Sequence, residues 1–335
     1  MSAKTETRPE WYKRLAQYEQ PDLRKSIWQL THTLLLYFAT FYLMVRTVQL
    51  GYTYWLTLVL AVLAAGFLVR IFIFFHDCTH HSFFASDRAN VIVGYILGIL
   101  TFTPYEEWRH THVIHHATAG NLDKRGVGDV WTMTVEEYQT ASRWQRLGYR
   151  LVRHPLVMFG LGPGFMFLIA HRFASKTARK QERLSVIITN LALLAIIVVA
   201  SLTIGLRTYI LVQLPIILIA ATAGLWLFYV QHQFETVYWA RDAEWDRIKS
   251  ALQGSSYYKL PKVLQWFSGN IGLHHIHHLR ARIPNYNLQR CYDEVPEVRA
   301  VAPLTIRTSL KSLGFNLWDE KRQKMVSFRE ARAIG

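Results

Sequence analysis

The chain has 335 residues, 51% hydrophobic and 14% aromatic, and a formal net charge of +15. Its two cysteines, Cys78 and Cys291, exclude a disulfide framework and any Cys-x-x-Cys redox or zinc motif. The apolar residues fall in long runs, so the basic charge reads as loops facing anionic lipid rather than as a nucleic-acid surface.

Residues 1–25 are polar and carry six Lys or Arg, which predicts a cytoplasmic segment without a cleavable signal. Residues 26–335 then form one membrane domain. Apolar runs predict spans over 27–47, 53–75, 185–205 and 208–230, each matching the roughly 20 helical residues that cross a bilayer core. Two shorter runs, "NVIVGYILGILTF" at 90–102 and "LVMFGLGPGFMFLIA" at 156–170, suit interfacial or re-entrant segments. The loop 76–184 is rich in Lys and Arg, while the links near 46–52 and 206 hold only Arg46 and Arg207. The positive-inside rule therefore places the amino terminus, this loop and the tail 231–335 in the cytoplasm. The expected architecture is an all-α integral membrane protein. Its four transmembrane helices form two hairpins, joined by interfacial helices to a cytoplasmic histidine-rich domain. The tail word "FNLWDEKRQKMVSF" at 315–328 reads as a short hairpin.

Of 15 histidines, 11 sit in three clusters: "HDCTHHSFF", "WRHTHVIHHATAG" and "GNIGLHHIHHL". Positions i, i+3 and i+4 share a helical face. His76 and His80 have that spacing, as do His112, His115 and His116, and again His274, His277 and His278. Eight imidazoles exceed what one ion takes and suit two, and imidazole serves iron, zinc, copper and nickel alike. His232, at the end of the fourth predicted span, is a candidate ninth ligand, because a polar group there is costly without a task. His81, His110 and His275 fall off the repeat and read as groups that support the ligands. His32, His154 and His171 read as ordinary polar surface. A haem needs only two axial ligands, and a metal-buffering tail would be of low complexity, so neither explains three clusters.

The pattern HxxxH, HxxHH, HxxHH on two membrane hairpins resembles the membrane fatty acid desaturase superfamily. "IFIFFHDCTHHSFF", "HHATAGNLDKRGVGDVWTMTVEEY", "LWLFYVQHQFE", "GSSYYKLPKVLQWFSGNIGLHHIHHL" and "IPNYNL" extend the likeness to bacterial acyl-lipid desaturases, over about residues 20–330. The resemblance implies a di-iron site ligated by His76, His80, His112, His115, His116, His274, His277 and His278, with His232 matching a further family histidine. It places Asp77, Ser82, Asp123 and Asp129 as groups that orient imidazoles. His81 stands where relatives carry a small or polar residue, which leaves the choice between His80 and His81 open.

The implied reaction is dioxygen-dependent formation of a cis double bond in the acyl chains of membrane phospholipids, at two non-haem iron ions. An unactivated methylene pair offers no acidic proton, so acid–base chemistry alone cannot open it. The chain carries no haem-domain word and no Rossmann glycine fingerprint, so electrons are expected from a separate ferredoxin-type donor. The expected location is the bacterial inner membrane, with the histidine clusters and both termini cytoplasmic. Two rivals remain at this stage. One is a hydroxylase or ketolase on the same scaffold. The other is a metal transporter or sensor, disfavoured because the spans are nearly free of charge apart from Arg70.

Overall fold

A computed structural model describes residues 9–334 of the chain. Residues 1–8 of the expected cytoplasmic segment lie outside the described residues. The chain is mostly helical. The long helices are α1 (Leu23–Gln49), α2 (Tyr54–Thr79), α3 (Asp87–Leu100), α4 (Tyr105–Thr118), α5 (Arg143–Arg153), α6 (Lys180–Thr203) and α7 (Leu206–His232). Two shorter ones follow, α8 (His274–Leu279) and α9 (Asn285–Glu294).

Their ends follow local chemistry. The Asp22 carboxylate accepts from the Arg24 and Lys25 amides at 3.0 and 3.2 Å and starts α1. Ser142 and Gln145 cap α5 reciprocally as a capping box: the Gln145 backbone amide donates to the Ser142 hydroxyl, and the Ser142 backbone amide donates to the Gln145 side-chain carbonyl. Gly205, at φ 87°, makes the tight reversal between α6 and α7 that a side chain would strain.

Among the described residues three helices are long and apolar enough to cross a membrane: α2, α6 and α7. They match three of the four expected spans. The first expected span coincides with α1, which has 27 residues but is not among these three. Its face toward α2 carries Thr33, Thr40 and Thr47, all buried, and these dilute its apolar character. α5 and the bent helix Leu156–Arg172 meet at 60° and form a further candidate only if the two are taken as one broken span. α3, over the 90–102 run, is a 14-residue helix and too short to be a candidate.

α2 is the central helix and packs on α1, α3 and α7. Lipid is as apolar as leucine, so close packing rather than apolar burial must hold such helices together. Ala61, Ala64 and Ala65 are buried on α2 and allow close approach. Arg70, buried on that helix, donates to the Thr33 hydroxyl at 3.3 Å and to the Trp266 carbonyl, and its guanidinium lies 4.2 Å from the Trp266 ring. At Gly94 a Cβ would stand 2.2 Å from the Tyr105 ring, so only glycine lets α3 close on Tyr105. The Tyr105 hydroxyl in turn donates to the Cys78 carbonyl at 3.0 Å and fixes the end of α2 where the first histidines sit.

The chain is mostly helical, in line with the expected fold class, and the described residues also include five short strands. β1 (Met133–Thr134), β4 (Leu317–Asp319) and β5 (Lys324–Val326) form a sheet in the order β1-β4-β5, while β2 (Tyr257–Lys259) pairs with β3 (Pro303–Thr305) in parallel. β4 and β5 are the antiparallel hairpin expected at 315–328. β4 pairs with β1 over two residues and β3 with β2 over three, and strands this short carry no alternating pattern to read in the sequence.

Candidate metal centre

The three clusters and the end of α7 converge at one place, as two adjacent groups of imidazoles. His76, His80, His112, His116 and His277 form the first group, and His115, His232, His274 and His278 the second. Within each group one ligand atom per residue lies within 4.8 Å of all the others. The histidines of one helix divide between the groups. On α4, His112 and His116 at i and i+4 face the first group, and His115 between them faces the second. On α8 the division reverses: His274 and His278 join the second group, and His277 joins the first. The rings of His116 and His278 stack at 4.2 Å where the groups meet.

The inner nitrogens are close. Nε2–Nε2 separations are 3.1 Å for His112–His116, 3.0 Å for His116–His277, 3.2 Å for His115–His232, 2.9 Å for His232–His274 and 3.1 Å for His274–His278. Nitrogens sharing one ion at about 2.1 Å stand roughly 3.0–3.4 Å apart, depending on geometry.

The outer nitrogens show why those contacts call for a cation. His115 Nδ1 lies 2.5 Å from an Asp129 carboxylate oxygen, and His232 Nδ1 lies 3.2 Å from the Gly254 carbonyl. Both partners can only accept, so each ring in its neutral form carries its proton on Nδ1. Their Nε2 atoms, 3.2 Å apart, then meet lone pair to lone pair. That contact repels unless a positive ion lies between. The Nε2 atoms of His76 and His80 are buried without a partner in the protein. Burial, reinforced by neighbouring imidazoles, pushes His80, His112, His116, His274, His277 and His278 well below the ordinary histidine value. They are therefore neutral near pH 7, the form that ligates metal. The donor set fits two imidazole-ligated metal ions.

The remaining candidates separate clearly. Asp129 holds His115, and Asp77 lies 3.3 Å from His76 Nδ1. The other Asp77 oxygen accepts from the Asn285 amide and side chain at 2.8 and 2.9 Å, which ties α2 to the start of α9. Ser82 donates to the Asp77 backbone carbonyl at 3.0 Å and touches no imidazole. His80 belongs to the first group, whereas His81, at φ 54°, turns outward to Asp87 at 2.9 Å. His110 faces Arg179 and Glu182 at the surface. His275 is buried away from both groups, with Nε2 3.0 Å from the Val298 carbonyl, and burial pushes its ring down to about 4. Asp123 is held by Arg241 at 2.7 Å and by the Asp242 amide at 2.9 Å. None of these five side chains, Ser82, His81, His110, His275 and Asp123, hydrogen-bonds an imidazole of either group.

Three further positions were not singled out from the sequence. Trp108 stacks on His112 at 4.2 Å. It precedes His112 by one helical turn, so the face argument could have found it. Asn285 lies in the word "IPNYNL", but nothing in its spacing points to Asp77, 208 residues away. Gly254 acts through its carbonyl, which a side-chain pattern cannot show.

Comparison with known proteins agrees with this geometry. The fatty acid desaturase family model matches residues 53–309, which contain all nine imidazoles of the two groups. A fatty acid desaturase of Bacillus subtilis is 49% identical over 96% of this chain and 91% of its own length. The sn-1 oleoyl-lipid 12-desaturase of Synechocystis sp. is 25% identical over 69% of this chain and 65% of its own. The sn-1 acyl-lipid omega-3 desaturase (ferredoxin) of the same organism is 26% identical over 68% and 64%. With its apolar helices and its paired imidazole groups, this chain is a membrane protein that belongs to the fatty acid desaturase family.

Proposed function

We propose that the chain is an acyl-lipid desaturase that inserts a cis double bond into acyl chains of membrane phospholipids. The observation that carries this reading is the pair of buried groups of five and four imidazoles, with inner nitrogens about an ion's width apart. The relatives that act on acyl lipids support the substrate class, and the name of one supports a ferredoxin-type donor.

His76, His80, His112, His116 and His277 would hold one iron ion, and His115, His232, His274 and His278 the other. Bound there, the two ions supply the oxidising power of dioxygen that an unactivated methylene pair demands. The overall balance is one dioxygen, two external electrons and two protons, plus two hydrogens from adjacent methylenes, giving one alkene and two waters. The protein's own contribution is positional. Asp129 and the Gly254 carbonyl fix the His115 and His232 rings by their Nδ1 protons, and Asp77 fixes His76. Trp108 closes one side of His112 and limits water at the first group.

For topology, we infer that α1 completes two hairpins with α2, α6 and α7, and that the imidazole groups and both termini lie on the cytoplasmic side of the bacterial inner membrane. The basic loops support that orientation. The domain runs from 26 to 335.

The test is the fatty-acid profile of a desaturase-free bacterial host expressing the chain, with His277→Ala alongside. A new monounsaturated acid that the variant does not make is expected, and its double-bond position gives the regiochemistry. A hydroxylated or keto product would overturn the reading in favour of another reaction on the same scaffold. Iron analysis of the purified protein, at about two ions per chain, checks the metal independently.

A further inference from the structure

α5, "RWQRLGYRLVR", has three distinct faces. Its inner face is protein: Tyr149 is fully buried, and Arg153 donates to the Gln233 side chain at 2.9 Å and the Phe315 carbonyl at 2.6 Å. Its outer face is apolar and uncovered. Trp144, Leu147 and Leu151 recur at i, i+3 and i+7 and are 82%, 47% and 53% exposed. Beside them runs a row of arginines at the same spacing, Arg143, Arg146 and Arg150. Arg150 turns back to the protein, donating to the Tyr138 hydroxyl at 2.5 Å and lying over the Phe328 ring. Arg143 and Arg146 meet no carboxylate among the described residues.

Two things identify what covers the outer face. The first is continuity. The bent helix Leu156–Arg172 follows α5 directly, packs on α7, and exposes Leu156, Leu161, Phe165 and Ile169. The apolar surface of the membrane helices therefore runs without a break onto Trp144, Leu147 and Leu151. The second is charge. Four arginines in eleven residues keep α5 out of the hydrocarbon core, yet an outward leucine and tryptophan face is out of place in water. A helix with both properties lies in the plane of the headgroups, and free guanidinium groups there favour negative lipid.

We propose that α5 is a bilayer-surface helix that selects anionic phospholipid. Trp144, Leu147 and Leu151 sit among acyl chains, and Arg143 and Arg146 engage the phosphate-bearing headgroups. The selected headgroups lie on the side of the membrane that carries the imidazole groups, because the inner face of α5 packs beside Gln233, next to His232. This inference requires only that the chain is a membrane protein and is independent of the reaction.

The test uses lipid selectivity at one labelled position of the full chain. Cys78 and Cys291 are both buried, so a fluorescent maleimide on Leu147→Cys labels the introduced thiol. The labelled protein is reconstituted in phosphatidylcholine vesicles containing an equal fraction of brominated phosphatidylcholine or brominated phosphatidylglycerol. The expected result is quenching by both lipids, with an apparent preference for phosphatidylglycerol of up to about fivefold per arginine. Adding Arg143→Gln and Arg146→Gln brings that preference to about one and leaves quenching by brominated phosphatidylcholine intact, which also shows that the variant is folded and inserted. Absence of quenching by either lipid would overturn the proposal, because the face would then be covered by protein, a second copy included, or by water. Equal quenching by both lipids in the arginine-intact chain would overturn the charge selection.

Discussion

The two imidazole groups differ in how they are built. The first draws five rings from α2, α4 and α8, and four of them arrive as i and i+4 pairs, His76 with His80 and His112 with His116. The second has four rings from α4, α7 and α8, and its only such pair is His274 with His278. His115 and His232, 117 positions apart, are brought together by α4 and α7. Their outer nitrogens are held by Asp129 in the 126–131 loop and by Gly254. A group made of local pairs tolerates small shifts between helices, because each pair moves as a unit. A group made of single rings from different elements depends on how those elements dock.

That contrast can be broken by experiment. The largest effect is expected from His232→Ala, which leaves three rings in the second group. Activity should fall by at least about 100-fold, beyond the usual loss for an outer partner, and iron should drop by about one ion per chain. His80→Ala, which leaves four rings in the first group, should retain more iron. Equal loss in both variants would show that the groups load as one unit. Next is Asp129→Asn, with about 10–100-fold lower activity or iron affinity, read by iron retention against a chelator. Asp77→Asn should cost less, near the lower end of that range, because its contact with His76 is longer, 3.3 Å against 2.5 Å. Asn285→Ala removes one of the two donors to one oxygen of the buried Asp77 carboxylate and should cost about 1–3 kcal/mol of stability, checked by the midpoint of thermal unfolding in detergent. The smallest effect is expected from His81→Asn. Asparagine accepts the left-handed backbone at φ 54°, so iron content and product should be unchanged.

Much of this was legible in the sequence, and particular residues show where it stopped. The spacing of the histidines announced helical faces converging on more than one ion. It could not say which ring joins which group. Relative to residue i, positions i+3 and i+4 lie about 60° to one side and about 40° to the other, so all three point the same general way from the helix. The docking of α4 and α8 makes that choice, and it sends His115 and His277 to opposite groups. The resemblance points to Asp129 and Asp77 together, and they stand 2.5 Å from His115 and 3.3 Å from His76. Asp123, in equally good sequence company, is taken by Arg241 instead. Hydropathy located α2, α6 and α7 well because their apolar runs are unbroken. α1 is harder to judge, since its threonines are satisfied within the protein: Thr47 meets Thr57 at 2.8 Å, and Thr40 bonds back to the Leu36 carbonyl at 2.7 Å. The strands were missed because two- and three-residue pairings such as Met133 with Leu317 arise from tertiary contact and leave no periodicity behind.

The position of α8 in the chain also sets a timetable. His274, His277 and His278 come from the last fifth of the sequence, and Asn285, the partner of Asp77, comes later still. A ribosome delivers α2, α4, α6 and α7 first, so these helices reach the membrane while neither imidazole group is closed. Synthesis that halts before α8 leaves a fragment with four rings of the first group and two of the second, and only a chain extended past α8 gathers all nine.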